Sequence, residues 1–251
     1  VSVTYKELGE KVKNWQRAFA DLGLNRGDRV AMLLPNGVNA VCFDQAAMAN
    51  SLVPVPLHAI DTPASSAFIL QDCGASVLVT DKKSKWEKIQ EAGFDLSAIK
   101  KVIITEELTE ATGLIQGVKE WLMGAPKDIL LPEQPKVDDL ACIVYTSGTT
   151  GKPKGVMLTH KNITSNVRST LAHVKPEIGD IFLSFLPLSH MFERTAGYYL
   201  ALATGSTIVF NRSLQYLAED FKIAKPNVLI SVPRVYERIY AKLNDALTDY
   251  D

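Results

Sequence analysis

The sequence predicts an α/β fold of layered, parallel-rich sheets with flanking helices. Two observations predict it. Short apolar runs rich in β-branched residues, such as RVAMLL (29–34), SVLVT (76–80) and KVIIT (101–105), are brief enough to be buried strands. Between them lie longer stretches whose apolar residues recur at three- and four-residue steps, as one face of a helix requires. Strand and helix in alternation favour a sheet that is largely parallel.

Thr4-x-x-Glu7 is a capping box. Behind it Leu8, Val12, Trp15, Phe19 and Leu22 form one apolar helical face, and Gly23 can end that helix. RVAMLL then reads as a strand stopped by Pro35, and 37–50 as a helix. Residues 52–57 are extended, but Pro54 and Pro56 lack the N–H that a central strand needs on both sides. Thr62-Pro63 opens a further helix, with Thr62 as cap and Pro63 in the first turn. The proline-bearing stretch 124–139 reads as a surface connector. DLACIVYT (139–146) and GVMLT (155–159) are strands, followed by a helix capped by Thr159 or His160, with Ile163, Val167, Leu171 and Val174 on one face. KPEIGD (175–180) is a break, expected to mark a change of subdomain. Beyond it IFLSFL, STIVF and NVLISV read as strands, and Val235 to Leu247 as a helix.

The chain of 251 residues is 47% hydrophobic and 22% charged, enough apolar material for a sizeable core. Its 27 basic and 28 acidic residues leave a net charge of −1, which argues against a general binder of nucleic acid or anionic membrane. Cys42, Cys73 and Cys142 are odd in number and widely spaced, without metal-ligand spacing, and read as reduced buried thiols. No apolar run reaches membrane-spanning length.

The most informative segment is YTSGTTGKPKG, Tyr145 to Gly155. Gly148, Gly151 and Gly155 let the backbone turn and approach a ligand closely. Consecutive N–H groups in such a turn make an anion-binding nest. Thr146, Ser147, Thr149 and Thr150 add rotatable hydroxyl donors, and Lys152 and Lys154 add charge suited to a polyphosphate. A solvated turn between strands is the plainer alternative, but eleven residues combining all three features are more specific than that. The spacing is not that of the P-loop. Gly148 and Gly151 are three apart, Lys152 is followed by Pro153, and the next segment looks extended rather than helical.

This run, continued as YTSGTTGKPKGVMLTH, resembles the signature loop of the adenylate-forming superfamily of acyl-CoA synthetases, luciferases and peptide-synthetase adenylation domains. TYKEL (4–8), GDRVAMLLPN (27–36), Pro54-Val55-Pro56 and LPLSH (186–190) look like further landmarks of that family, and VPRVYERIY (232–240) resembles its long-chain branch. The resemblance implies ATP-dependent activation of a long-chain fatty acid to an acyl-adenylate and then to acyl-CoA. ATP, Mg²⁺ and coenzyme A would be the cofactors. It implies that the loop from Thr146 to Lys152 and Lys154 holds the triphosphate, that Lys154 takes part in catalysis, and that His190 lies near the acyl carboxylate and α-phosphate. Read without its motif, His190 simply caps a helix beginning near Met191. Glu193 and Arg194 read as a local ion pair, and Phe192, Gly197, Tyr198 and Tyr199 as parts of a core helix or of an acyl tunnel. Arg194 stands about where some bacterial fatty-acid relatives carry a gating Trp.

The family's later motifs are not found in these residues. The chain is therefore expected to be a partial N-terminal AMP-binding domain, catalytically incompetent by itself. No nucleic-acid partner is expected. The resemblance leaves room for a homodimer, and for a cytoplasmic enzyme that attaches peripherally to the inner membrane face. Adenylation of an amino, aryl or short-chain acid, and a non-catalytic nucleotide-binding role, remain the alternatives.

Overall fold

The computed structural model describes residues 2–108, 110–147, 152–237 and 240–241. The chain divides into two units, Val1–Arg168 and Ser169–Asp251.

The first unit opens with helix α1 (Tyr5–Asp21), whose capping box is formed. The Thr4 side chain accepts from the Glu7 N–H, and the Glu7 carboxylate accepts from the Thr4 N–H at 2.8 Å. Strand β1 (Arg29–Leu33), helix α2 (Val38–Ala49) and strand β2 (Val53–Pro56) follow. Helix α3 (Pro63–Cys73) begins on the Thr62 cap and ends at Gly74, whose left-handed backbone suits glycine. Then come β3 (Val77–Thr80), α4 (Lys83–Gln90), β4 (Lys101–Ile104), β5 (Ile115–Gly117) and α5 (Val118–Gly124). The five strands form one wholly parallel sheet in the order β2-β1-β3-β4-β5. The two prolines sit in β2, at the sheet's edge, as their missing donors require.

Strand alternation sends residues to two cores. Ala31, Leu33, Val55, Leu78 and Ile104 pack with Leu70 of α3 and Trp86 of α4. Val30, Met32, Val79 and Ile103, also buried, point to the opposite face. There α2 meets β1 and α5 meets β4. Trp15 and Phe19 of α1, Phe43 of α2 and Trp121 of α5 form an edge-to-face aromatic cluster, with ring centroids from 5.2 to 6.4 Å apart.

Strands β6 (Leu140–Ser147) and β7 (Pro153–Thr159) form a separate antiparallel hairpin, with β6 lying against β2. Helix α6 (His160–His173) starts from Thr159, whose hydroxyl accepts from the Asn162 N–H at 3.2 Å. This settles the cap as Thr159.

In the second unit β8 (Ile181–Ser184) and β9 (Thr207–Phe210) pair in parallel. Between them the chain forms a seven-residue π-helix (Glu193–Tyr199) that continues into α7 (Leu200–Thr204). Helix α8 spans Leu217–Ala224. NVLISV is not a strand, contrary to expectation. Pairing with β8 amounts to a single bridge, Phe182 to Val228. The Asn227 and Val228 N–H groups both donate to the Ile181 carbonyl, and Pro233 then turns the chain into a helix over 233–237. The expected helix from Val235 to Leu247 lies mostly outside the described residues.

Candidate active site

The loop connects the two strands of the β6–β7 hairpin. The register pairs Tyr145 with Gly155, Thr146 with Lys154 and Ser147 with Pro153. Directly opposed residues project to the same face, so the side chains of Thr146 and Lys154 leave the root of the loop on one side of the hairpin. Both are exposed, as is Lys152. Gly148, Thr149, Thr150 and Gly151, and the side chain of Ser147, lie outside the described residues. The segment after the loop is a strand, as its sequence suggests, and not the helix that a P-loop feeds.

Gly155 has a steric reason of its own. A Cβ there would lie 2.9 Å from Ile143 Cγ2 and 3.1 Å from Tyr145 Cζ. Only a residue without a side chain lets the Tyr145 ring lie across the opposite strand. The Tyr145 hydroxyl donates to Asp72 Oδ2 at 2.5 Å. Burial and this bond to a carboxylate push the phenol's pKa well up, so it stays a donor.

His190 belongs to the second unit, in the turn that follows β8. Its N–H donates to the Pro187 carbonyl and its own carbonyl accepts from Arg194, each at 2.9 Å. Its imidazole is exposed while Leu188 before it is buried. The backbone of His190 thus starts the helix and leaves the side chain outward, so the capping reading and a site reading are compatible.

What the sequence does not reveal is the π-helix. The wider helical turn places Glu193 and Arg194 inside, both 0% exposed. The expected ion pair between them is not formed. Neither Glu193 oxygen makes a hydrogen bond of normal geometry. The Arg194 guanidinium instead reaches the Leu188 carbonyl at 3.5 Å and lies 5.4 Å from the Tyr199 ring centre. The Glu193 carboxyl fills the notch left by Gly197, where a Cβ would come within 2.6 Å of Oε1. Burial pushes its pKa up to about 7, with the nearby Ser184 hydroxyl drawing it back. The sequence signal for this was a charged pair inside an apolar stretch with glycine four residues on. Of the predicted tunnel or core residues, Gly197, Tyr198 and Tyr199 are buried and Phe192 is 55% exposed.

The remaining candidates are structural. Cys42 and Cys142 are buried, Cys73 is half-buried, and none of the three is in a disulfide. Burial raises Cys42 and Cys73 to about 11, so these thiols are poor nucleophiles at neutral pH. Burial lowers the pKa of His160, opposed by Asp139 and Asp44. Among the described residues no group of three or more His, Cys, Asp or Glu is arranged to hold a metal ion. No helix among them is long and apolar enough to cross a membrane.

A parallel sheet wrapped by helices, with an antiparallel hairpin beside it, places the first unit in the α/β class. The model of the AMP-binding enzyme family matches residues 1–251, and the chain belongs to that family. Among curated relatives, fatty acyl-CoA synthetase A of Dictyostelium discoideum is 33% identical over 253 residues, covering 96% of this chain and 37% of the relative. Human long-chain-fatty-acid–CoA ligase 1 is 32% identical, over 98% of this chain and 38% of its own length. The chain thus spans a little over a third of these relatives. Among solved structures, the inhibitor-bound N-terminal domain of FACL13 from Mycobacterium tuberculosis superposes with a TM-score of 0.77 at 25% identity, covering 91% of this chain and 56% of that one.

Proposed function

We propose that the protein activates a long-chain fatty acid with ATP, forming an acyl-adenylate and then acyl-CoA. The observation that carries this reading is the hairpin that sets Thr146 opposite Lys154 at the root of the signature loop. Its agreement with fatty acyl-CoA synthetase relatives over nearly the whole chain supports it.

The chemistry asks for what these residues can supply. A carboxylate and a triphosphate repel, so a site must neutralise charge and align the attacking oxygen with the α-phosphate. Lys154, Lys152 and the hydroxyls and amides from Thr146 to Gly151 suit the β- and γ-phosphates, whose charge grows as pyrophosphate leaves. Lys154 is the group we assign to catalysis there. His190, outward at the head of the π-helix, is assigned to the acyl carboxylate and α-phosphate, as a hydrogen-bond donor. Mg²⁺ fits as an ion held chiefly by the triphosphate, which needs no cage of protein ligands; bound there, it would neutralise phosphate charge. The thiol of coenzyme A would then displace AMP.

In this reading the chain is the N-terminal part of the enzyme, with a change of subdomain at 175–180. A cytoplasmic location, peripheral contact with the inner membrane face, where the acid partitions, and a homodimer belong to the same proposal. A substrate panel on the protein at its full genomic length tests it. Palmitate or a similar acid should give the fastest ATP–pyrophosphate exchange; fastest exchange with acetate, benzoate or an amino acid would overturn it.

A further inference from the structure

One contact near the loop lies outside its sequence motif. Asp72 sits in the last turn of α3, and its carboxylate accepts the Tyr145 hydroxyl across 73 positions of chain. The end of α3 is itself anchored. Arg29 of β1 donates through Nε to the Cys73 carbonyl at 2.6 Å and through Nη2 to the Gly74 carbonyl at 3.0 Å. Asp72 is therefore mounted on a helix end tied to the parallel sheet. Tyr145 lies opposite Gly155, in contact range of it, and one position before the Thr146–Lys154 pair. Ile143, two residues earlier on the same face, is part of the core beneath α3 and α4. A continuous path of fixed groups runs from β1 through the α3 terminus and Tyr145 to the root of the loop.

We propose that Asp72 and Tyr145 are positioning residues for the phosphate loop, the carboxylate holding the phenol so that the hairpin presents Thr146 and Lys154 at a set place and angle. This rests on the reading that the loop binds the triphosphate. Neither side chain needs to touch the nucleotide. Without the tether the hairpin end can tilt on β6, and the two side chains spend less time where phosphate oxygens arrive.

The test uses the protein at its full genomic length, with ATP plus Mg²⁺ titrated by calorimetry, and KM measured separately for ATP and for the fatty acid. Tyr145→Phe and Asp72→Ala should each weaken ATP binding about fivefold and raise KM for ATP in step, leaving KM for the acid unchanged. The double variant should be no weaker than either single one. Asp72→Asn, whose amide oxygen still accepts, should keep most of the affinity. Wild-type ATP affinity in the single variants, or losses that add in the double variant, would overturn the proposal. If the unsubstituted protein bound no ATP, the nucleotide reading itself would fall, and the tether's role with it.

Discussion

Glu193 is the residue whose environment departs furthest from its ordinary chemistry. Its carboxyl is fully buried in the Gly197 notch and ionises near pH 7 rather than 4.5. In the unfolded chain it would ionise at its ordinary value, so the folded state binds the proton more tightly. The stability this contributes is full below about pH 4.5 and is lost as pH rises through about 7. Glu193→Gln, which keeps shape without charge, should therefore flatten the decline. At pH 8 it should be more stable than the parent by roughly 2–3 kcal/mol, and near pH 4.5 about equal. Urea unfolding followed by circular dichroism at the two pH values measures this; an equal pH dependence in both proteins would show that the carboxyl is solvated. Lys154 is the contrasting case, exposed opposite Thr146 at the root of the loop. Lys154→Ala should cost adenylate formation roughly 1.5–3 kcal/mol in ATP–pyrophosphate exchange, through loss of a charge-assisted contact. Unchanged exchange would make it a solvated loop lysine.

At the scale of elements, the β6–β7 hairpin depends on Gly155. Gly155→Ala should force the Tyr145 ring and Ile143 apart, costing about 1–3 kcal/mol of stability and weakening ATP binding together. Thermal unfolding and nucleotide titration of the same sample check it, and a fully stable, fully binding variant would show that the strands part freely. The hairpin and most flanking elements were legible in sequence because each carries a strong local signal. The Thr4 box, the Thr62-Pro63 start and the two-proline edge strand all stand where local chemistry put them. The elements that escaped notice are those held by tertiary packing. Helix α4 buries only Trp86 and Ile89 in a segment otherwise dominated by charge, and β5 is three residues long. The π-helix is invisible to a 3.6-residue pattern, and the inward turn of Glu193 and Arg194 leaves only a charged pair in an apolar stretch as its trace. NVLISV erred the other way, because a β-rich composition cannot say whether a neighbouring strand has room to pair. At the site, the loop was readable as chemistry, whereas the Tyr145–Asp72 bond joins residues 73 apart and has no local signature.

On the scale of the whole molecule, the two units can be probed separately because all three tryptophans fall in the first. Trp15, 2% exposed and in ring contact with Phe19, Phe43 and Trp121, ties three helices over one face of the sheet. Trp15→Ala should lower the unfolding free energy of that unit by about 3–5 kcal/mol, read from the fluorescence of Trp86 and Trp121 in denaturant. A shift below 1 kcal/mol or so would mean that the cluster closes over the gap.

The proline edge of the parallel sheet has a consequence for the life of the chain among other chains. The Val53 and Leu57 N–H groups turn inward to the Asp28 and Met32 carbonyls of the β1 side. The intervening outward positions are Pro54 and Pro56, which have no N–H to offer. That border therefore presents acceptors without donors. A stray β-segment seeking to extend the sheet would meet only half of the ladder it needs, and would have to bury its own unmatched carbonyls. During synthesis, before the hairpin from Leu140 onward is made to lie against β2, these two residues already leave the sheet's border without outward donors.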